Sequence, residues 1–273
     1  MTHTQAAGNP HSPTQARPVV LCFAGHDPSG GAGLQADIET LAAHGCHCIP
    51  VVTALTDQDS RNLYALRAVD PEWIHTQTRR LLEDFDIRAV KIGLVGSTAG
   101  MEAIRQLLDA RALRDRLVVL DPVLAAGGGG AFAGTDYPDR LRELLVPRAY
   151  VTTPNQQELH ALASATDEAD AVAVLHARGC AHVLVTGVAG SHDSHLTNRL
   201  YTAGSVVFQG FPTQRRPGHY RGTGCSLAAA VAAGLAHRQS VSDAVRHATQ
   251  WTASAIAQAQ RLGHGQSHLT RIP

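Results

Sequence analysis

The motif Gly222-Thr223-Gly224-Cys225 stands directly before an apolar run that extends to Ala236. Its two glycines allow the backbone to turn sharply and to approach a ligand closely. The apolar run predicts a helix, and a helix that begins here directs its free N–H groups and its positive dipole end at that ligand. We therefore predict an anion-binding site in which the Cys225 thiol, ionised with help from the same dipole, accepts a proton.

Two charged residues belong to apolar segments further upstream. Lys91 is the only lysine of the chain and lies just before Gly93, and Asp121 follows the apolar residues 117–120. Burying either charge is costly without a partner. Each residue alone is typical of a satisfied structural charge, but the ends of neighbouring strands would bring the two together at a functional site.

Glu158 has two interpretations. It follows Asn155 by three residues at the start of a predicted helix, a spacing typical of a capping box that only stabilises the helix. Its carboxylate is also suited to hold the water ligands of Mg²⁺ near phosphate oxygens.

Two polar loops follow the first two predicted strands. The glycine-rich loop 25–33 fits neither the dinucleotide-binding nor the P-loop spacing, so a structural turn and a binding loop are equally supported. Asp37 lies one helical turn beyond Gly33 and is expected to face the same cleft. In the segment 53–60, the Gln58 amide can pair with a planar heterocycle, although the pattern alone favours a solvated loop.

Short apolar segments alternate with longer amphipathic ones, as in parallel strands joined by crossover helices. Strands are predicted at residues 19–24, 48–53, 89–93, 117–121, 149–152 and 182–186, with a late hairpin or edge pair at 199–201 and 206–211. Helices are predicted at 33–43, 71–85, 99–109, 138–145, 156–163, 168–178, 226–237 and 241–261. In such a doubly wound sheet, ligands bind beyond the carboxyl ends of the strands, where the polar residues above fall.

Composition narrows the class of partner. The 273 residues carry 23 basic and 23 acidic side chains, so the net charge favours small molecules over nucleic acid or a membrane surface. Residues 1–17 are polar and predict a disordered tail before a single domain at 18–273, and we expect a soluble, cytoplasmic protein. Four of the five cysteines are expected to be reduced core residues, with a structural zinc at Cys46-His47-Cys48 as the minor alternative.

Seven motifs occur in order over residues 19–265: Gly25-x-Asp27-Pro28-Ser29-Gly30-Gly31-Ala32-Gly33-x-Gln35-Ala36-Asp37, Thr53-Ala54-Leu55-Thr56-x-Gln58, Val90-Lys91-x-Gly93, Asp121-Pro122-Val123, Thr153-Pro154-Asn155-x-x-Glu158, Gly222-Thr223-Gly224-Cys225 and Gly263-His264-Gly265. Together they resemble the hydroxymethylpyrimidine/phosphomethylpyrimidine kinases of thiamine biosynthesis, in the ribokinase-like superfamily. The resemblance implies an α/β ribokinase-like three-layer fold, with a central, mostly parallel sheet flanked by helices. It also implies ATP- and Mg²⁺-dependent phosphorylation of the pyrimidine's hydroxymethyl group and then of the monophosphate, by a homodimer; a role for K⁺ stays open.

The resemblance also implies roles for individual residues. The pyrimidine pocket would be lined by Gly25, Asp37, Gln58, Leu94 and Val123, with Asp37 and Gln58 hydrogen-bonded to the aminopyrimidine. Asp121 and Glu158 would be the magnesium-associated carboxylates, and the nucleotide phosphates would meet Asn155, Thr186 and Gly187, with Lys91 assigned to the same ATP site. Residues 222–225 would form the anion hole, with Cys225 where other ribokinase-like enzymes place an aspartate base.

The chain departs from the family after Asp121-Pro122-Val123. Many members carry a lysine there that is expected to meet the phosphates, whereas this chain has Gly127-Gly128-Gly129-Gly130. Our hypothesis is that the missing charge comes from one of the arginines before the anion loop, Arg215, Arg216 or Arg221. Alternative functions are a pyridoxal or pyridoxine kinase of the same superfamily and a non-catalytic paralogue that binds the pyrimidine.

Overall fold

The predicted alternation of strands and helices is present in the computed structural model, which describes residues 16–124, 136–190, 194–205 and 207–272. The strands are β1 (Val19–His26), β2 (His47–Gln58), β3 (Leu63–Ala68), β4 (Ile87–Ile92), β5 (Leu117–Leu120), β6 (Val151–Thr152), β7 (His182–Ala189), β8 (His195–Thr202), β9 (Gln209–Gln214), β10 (Tyr220–Arg221) and β11 (Ser267–His268). The helices are α1 (Gly33–Ala43), α2 (Pro71–Asp84), α3 (Thr98–Asp109), α4 (Tyr137–Leu144), α5 (Gln156–Ala163), α6 (Glu168–Ala177), α7 (Thr223–Ala236) and α8 (Val241–Ala257), with a 3₁₀ turn at Val146–Arg148.

Nine of the described strands form one sheet in the order β3-β2-β1-β4-β5-β6-β7-β8-β9. The central pairs from β2 to β7 are parallel, while β3 at one edge and β8 and β9 at the other are antiparallel. The chain leaves β1 toward β2 and returns to the opposite side of β1 as β4. This reversal of strand order opens a crevice at the carboxyl ends of β1 and β4, where ligands of doubly wound sheets bind.

The sheet is the middle of three layers, as predicted. Alternate residues of β1 point to opposite faces: Leu21 and Phe23 join the core under α2 to α6, whereas Val20, Cys22 and Ala24 join the core under α1, α7 and α8. Helix α7 is buried at every position from Ser226 to Ala236, and most of these residues are alanine. Small side chains let α7 approach the sheet closely, so its N-terminus is held beside the strand ends.

The structure differs from the predictions mainly at the edges of the sheet. Strand β2 continues to Gln58, through the segment predicted as a polar loop, because it pairs with β3, which was not predicted. Most residues of β3 are exposed, so it carries little of the apolar alternation that marks a strand. The late hairpin is confirmed as β8 and β9, with different bounds, and α8 ends at Ala257 rather than at residue 261.

Some predictions concern residues outside the described ranges, namely residues 1–15 of the predicted tail and the glycines 127–130. Within the described part, the five cysteines form no disulfide, and Cys22, Cys46 and Cys180 are buried. No group of three or more metal-ligating side chains occurs there, so the described residues give the zinc alternative no support. None of the helices described is long and apolar enough to cross a membrane.

Candidate active site

A cavity of about 820 Å³ opens at the carboxyl ends of the parallel strands. It is lined by fourteen of the fifteen predicted site residues: Gly25, Gln58, Lys91, Leu94, Asp121, Val123, Asn155, Glu158, Thr186, Gly187, Gly222, Thr223, Gly224 and Cys225. They come from the ends of β1, β2, β4, β5, β6 and β7 and from the start of α7. The fold therefore collects residues that are up to 200 positions apart, from Gly25 to Cys225, in one cleft.

The start of α7 is open toward this cavity. Gly222 has a left-handed φ of +76°, and no side chain of the described residues caps the helix. A Cβ at this position would lie 2.0 Å from the Gly31 carbonyl oxygen, so only glycine fits. The first N–H groups of α7 and the positive end of its dipole are consequently available to an anion, as the sequence predicted.

The first glycine loop is closed on itself by Asp27. This buried carboxylate accepts hydrogen bonds from the Ser29 amide (2.9 Å) and hydroxyl (2.7 Å), the Ala32 amide (2.9 Å) and Arg221 Nε (2.8 Å). Gly33 is required where the loop enters α1, because its φ is +58° and a Cβ would lie 2.2 Å from the Gly25 carbonyl oxygen. The loop thus forms both a structural turn and part of the cavity wall.

Lys91 is the centre of a buried charge cluster at the cavity floor. Its Nζ lies 2.9 Å from Asp37 Oδ1 and 3.8 Å from Asp121 Oδ2, and neither Lys91 nor Asp37 exposes any surface. Burial alone lowers the pKa of Lys91, but the charges of Asp37, Cys225 and Asp121 outweigh it and keep the ammonium protonated. Burial raises the pKa of Asp37 to about 6, although Lys91 opposes this shift.

The position of Asp37 differs from the expectation. The described cavity wall does not include it, because its carboxylate points at Lys91 rather than into the cleft. The spacing along α1 correctly placed Asp37 on the helix face directed toward the strand ends. It did not show that the side chain is buried too deeply to reach the cavity. Lys91 has two carboxylate neighbours, Asp37 and Asp121, so its charge is largely neutralised within the protein.

Cys225 lies in the first turn of α7, half-buried against the cavity. Burial raises the pKa of its thiol to about 12, and the neighbouring Asp121 and Asp37 add to this effect, while Lys91 and the Gly33 backbone oppose it. The direction is opposite to the dipole-based expectation, because the desolvation of a buried thiolate outweighs the opposing effects of Lys91 and the Gly33 backbone.

Glu158 forms the predicted capping box, and its carboxylate still lines the cavity where it could hold the water ligands of Mg²⁺. The Asn155 side chain accepts from the Glu158 amide (2.9 Å) and Glu158 Oε2 accepts from the Asn155 amide (3.0 Å), which is a complete capping box on α5. Burial, together with the nearby charge of Asp121, raises the pKa of Glu158 to about 8. Burial also raises the pKa of Asp121, whose Oδ2 has no hydrogen-bond partner among the described residues.

Asp121 and Glu158 fit a Mg²⁺ ion that is shared with phosphates. Both line the cavity, and the charge of Asp121 adds to the burial that raises the pKa of Glu158. Mg²⁺ in phosphoryl-transfer sites is usually held by one or two carboxylates, with water and phosphate oxygens completing the shell. A cation at this place would offset the negative charge of Asp121 that contributes to the raised pKa of Glu158.

A second cavity of about 360 Å³ adjoins the first through Thr186, Gly187, Thr223 and Gly224. The Gly187 amide donates to Asn198 Oδ1 (2.9 Å), so this N–H is already occupied. Of the three arginines considered as replacements for the missing lysine, Arg215 and Arg216 line the second cavity. Arg221 lines the first but is paired with Asp27, which balances its charge.

Two further structural residues were missed by the sequence analysis. Ser60 holds the closing glycine motif, since its hydroxyl accepts from the Gly265 amide (2.9 Å) and its carbonyl accepts from the Gln266 amide (2.8 Å). Arg271 is buried behind the α7 terminus. The glycines at 263 and 265 could have indicated the contact with Ser60. Arg271 lies outside every motif, so nothing in the sequence indicated that it is buried at the α7 terminus.

Solved structures share this architecture. A crystal structure of an ADP complex of Bacillus subtilis pyridoxal kinase superimposes with a TM-score of 0.84, at 25% identity, covering 94% of this chain and 98% of that one. A phosphomethylpyrimidine kinase from Clostridium difficile superimposes with a TM-score of 0.74 at 28% identity, covering 88% and 100% of the two chains. The fold and the cleft at its strand ends are those of an ATP-dependent kinase with the ribokinase-like architecture.

Sequence comparison narrows the class further. Residues 27–270 match the family described as phosphomethylpyrimidine kinase. The hydroxymethylpyrimidine/phosphomethylpyrimidine kinase of Streptomyces coelicolor is 36% identical over 261 residues, which cover 93% of this chain and 94% of that protein. The chain belongs to the phosphomethylpyrimidine kinase family.

Proposed function

We propose that this protein uses ATP to phosphorylate 4-amino-5-hydroxymethyl-2-methylpyrimidine and then the resulting monophosphate, to give the diphosphate used in thiamine biosynthesis. The observation that carries the proposal is the open N-terminus of α7, which shares one cavity with Gln58, Asp121 and Cys225. Membership of the family supports the choice of substrate.

In this proposal, the substrate alcohol and the nucleotide lie at the two ends of the adjoining cavities. The pyrimidine occupies the part lined by Gly25, Gln58, Leu94 and Val123, where the Gln58 amide pairs with the heterocycle. The nucleotide extends past Asn155 and Thr186 into the second cavity, and its transferred phosphoryl group lies at residues 222–225. Asp37 acts below this surface by balancing Lys91, not by contact with the pyrimidine.

The transfer needs charge stabilisation more than covalent chemistry. The alcohol oxygen forms a bond to the γ-phosphorus, the bond from that phosphorus to the ADP oxygen breaks, and the alcohol proton passes to the Cys225 sulfur in its thiolate form. The α7 amides stabilise the charge on the phosphoryl oxygens. Mg²⁺, held by Asp121 and Glu158, would supply positive charge that also lowers the pKa of nearby acids, and K⁺ is a second cation to test.

The test is a coupled assay of ADP release with each acceptor. We expect release with hydroxymethylpyrimidine and with its monophosphate, both dependent on added Mg²⁺, and a lower KM for either than for pyridoxal. Release with pyridoxal alone would overturn the proposed substrate. Binding of the pyrimidine with no ADP release under any of these conditions would instead identify a non-catalytic paralogue.

Pyridoxal is the second candidate acceptor. The observation in its favour is the likeness to the pyridoxal kinase of Bacillus subtilis, which aligns with a higher TM-score than the phosphomethylpyrimidine kinase structure quoted above. Both acceptors are planar heterocycles with a hydroxymethyl group, so one pocket can accept both. Measurement of kcat/KM for the two alcohols on the same preparation ranks them directly, and light scattering tests the expected homodimer.

A further inference from the structure

Arg271 is a buried arginine outside every motif, and it bridges the two glycine loops. Its side chain is 1% exposed. Its Nη2 donates to the Gly31 carbonyl oxygen of the first loop and lies 3.5 Å from the Arg221 carbonyl oxygen at the entrance to the second. Its Nε donates to Ser226 Oγ in the first turn of α7 at 2.8 Å. One guanidinium thus ties together the loop 25–33, strand β10 and helix α7.

The guanidinium also packs against the α-carbon of Gly222. A Cβ built at Gly222 would lie 2.5 Å from Arg271 Nη2 and 2.0 Å from the Gly31 carbonyl oxygen. Gly222 is therefore confined between the first loop and Arg271. Because Gly222 accepts the first helical hydrogen bond of α7 from Ser226 (2.9 Å), its position sets the direction of the following amides.

The charge of Arg271 is unusual for its place. Cations stabilise helix C-termini, whereas this guanidinium lies behind the positive N-terminus of α7. Glu39 balances it from the far side, with Nη1 to Oε2 at 3.1 Å and a side chain 25% exposed. With its charge balanced by Glu39, Arg271 acts on the α7 terminus through its hydrogen bonds to Gly31 and Ser226.

We propose that Arg271 is a positioning residue that holds the loop 222–225 against the loop 25–33, so that the α7 amides meet the transferred phosphoryl group. The inference rests on the proposed function, because it assigns that group to the same loop. Arg271 is absent from the described cavity wall and acts through Gly222 and Ser226.

The experiment compares R271Q and R271K with R105Q, a matched arginine whose ion pair with Asp109 is 41% exposed on the arginine side. Misplacement of a reacting group by about 1 Å costs on the order of 10²-fold in rate, so we expect R271Q to lower kcat by about that factor. Since Arg271 does not line the pyrimidine pocket, the KM for the alcohol should change less than about threefold. R271K should retain an intermediate kcat, because an ammonium cannot reach all the acceptors that the planar guanidinium bridges.

Two further readouts separate positioning from simple loss of stability. Guanidinium ion added at a concentration that leaves the wild type and R105Q unchanged should raise the kcat of R271Q. S226A, which removes one acceptor and keeps the charge, should lower kcat by less than R271Q does. A kcat of R271Q within about threefold of the wild type would overturn the inference, as would an unrescued loss that follows the unfolded fraction in a thermal melt. If R271Q does not fold, an unchanged kcat for S226A would overturn it.

Titration with ADP keeps this inference distinct from the proposed function. If the wild type binds ADP but phosphorylates neither pyrimidine, the proposed function fails. Arg271 is then judged by ADP affinity alone, measured calorimetrically. We expect about tenfold weaker binding to R271Q than to R105Q, because a shifted α7 start would lose about one well-directed amide hydrogen bond to the phosphates. Equal affinities would overturn the role of Arg271.

Discussion

The two glycine-rich loops of the cleft have similar composition and opposite hydrogen-bonding states. The first, residues 25–33, is closed by Asp27, which accepts four hydrogen bonds from within the protein. The second, residues 222–225, leads into a helix that no described side chain caps. The first loop is held by its own carboxylate, whereas the second leaves its donors for a ligand.

This difference gives the two loops different roles: the first is a rigid packing surface, and the second supplies free hydrogen-bond donors. A helix start that lacks a protein partner is stable only when water or a ligand satisfies its amides. The first loop supplies the rigid surface against which the second is packed, since the Gly31 carbonyl lies directly on Gly222. Preorganised donors of this kind need little rearrangement when charge develops on the substrate.

The largest effect is expected in the second loop, from Cys225→Ala. If the thiol accepts the alcohol proton, kcat should fall by about 10²- to 10⁴-fold, because general-base catalysis contributes factors of this size. The thermal midpoint should change little, since the helix and its glycines are retained. A fall of less than about threefold would show that only the α7 amides matter.

The pH profile tests the same residue. With the pKa of Cys225 raised to about 12 by burial, the thiolate fraction of the free enzyme increases with pH throughout the neutral range. Wild-type kcat/KM for the alcohol should therefore rise between pH 7 and pH 9, and this slope should be absent in the alanine variant. Equal slopes for the two proteins would assign proton removal to another group.

The next largest effect is a lower free energy of unfolding, which we expect for Asp27→Asn in the first loop. The substitution leaves the buried Arg221 guanidinium without its carboxylate, and breaking a buried pair in this way costs about 3–5 kcal/mol. Urea unfolding of the variant measures this loss. Asp86→Asn is the control, because the side chain of Asp86 is 60% exposed in its pairs with Arg88 and Arg116, and such pairs contribute about 0–1 kcal/mol. Equal losses for the two variants would mean that Asp27 does not hold the loop together.

The N-terminus of helix α5 is capped by Asn155 and Glu158, unlike the N-terminus of α7, where no cap occurs among the described residues. The variant Glu158→Gln tests how the charge of this cap affects stability. The folded protein raises the pKa of Glu158 from 4.5 to about 8, so between these pH values it retains a proton that the unfolded chain has released. The wild type consequently loses stability as pH rises through this window, whereas glutamine keeps the capping box without a charge. We expect the variant to be more stable than the wild type at pH 9, by on the order of 3 kcal/mol, because each pKa unit is worth about 1.4 kcal/mol and the partly exposed side chain keeps some solvent screening.

The control for this prediction is Glu143→Gln, at a side chain 44% exposed in a surface ion pair. Its stability difference from the wild type should not grow with pH. A constant difference for Glu158→Gln between pH 5 and pH 9 would contradict the raised pKa.

Much of the fold was predictable because the sheet centre is buried on both faces. Strands such as β5 and most of β1 are continuous apolar runs, and the helices beside them carry caps and amphipathic faces that a sequence displays directly. Strand β3 and the outer half of β2 were not recognised, because most residues of β3 are exposed and their order comes from pairing with each other. Local patterns do not encode such pairing between exposed strands.

The sequence also predicted which residues line the cavity, but it did not predict how deeply they are buried or how their pKa values shift. Residue types and motif order indicate which positions reach the strand ends, and all but Asp37 line the cavity. How deep a carboxylate lies, and whether a thiol loses more from burial than it gains from a helix dipole, depends on packing from distant segments. Asp37 and Cys225 both illustrate this: Asp37 pairs with Lys91 of strand β4, and burial of the Cys225 thiol outweighs the charge of the same lysine.

The smallest expected effect is from Gly30→Ala in the first loop, with Gly45→Ala after α1 as its match. Both glycines have φ +71°, and a Cβ would meet only Gln35 Cγ at 3.9 Å at the first and no described atom within 4 Å at the second. The cost should therefore be that of the left-handed backbone alone, about 1–2 kcal/mol for each variant by chemical denaturation. Because the first loop is held by Asp27 and not by a ligand, kcat should be unchanged in both. A tenfold lower kcat for Gly30→Ala at the same stability as Gly45→Ala would mean that the first loop also contacts the reacting groups, and the two loops would then share the role assigned here to the second.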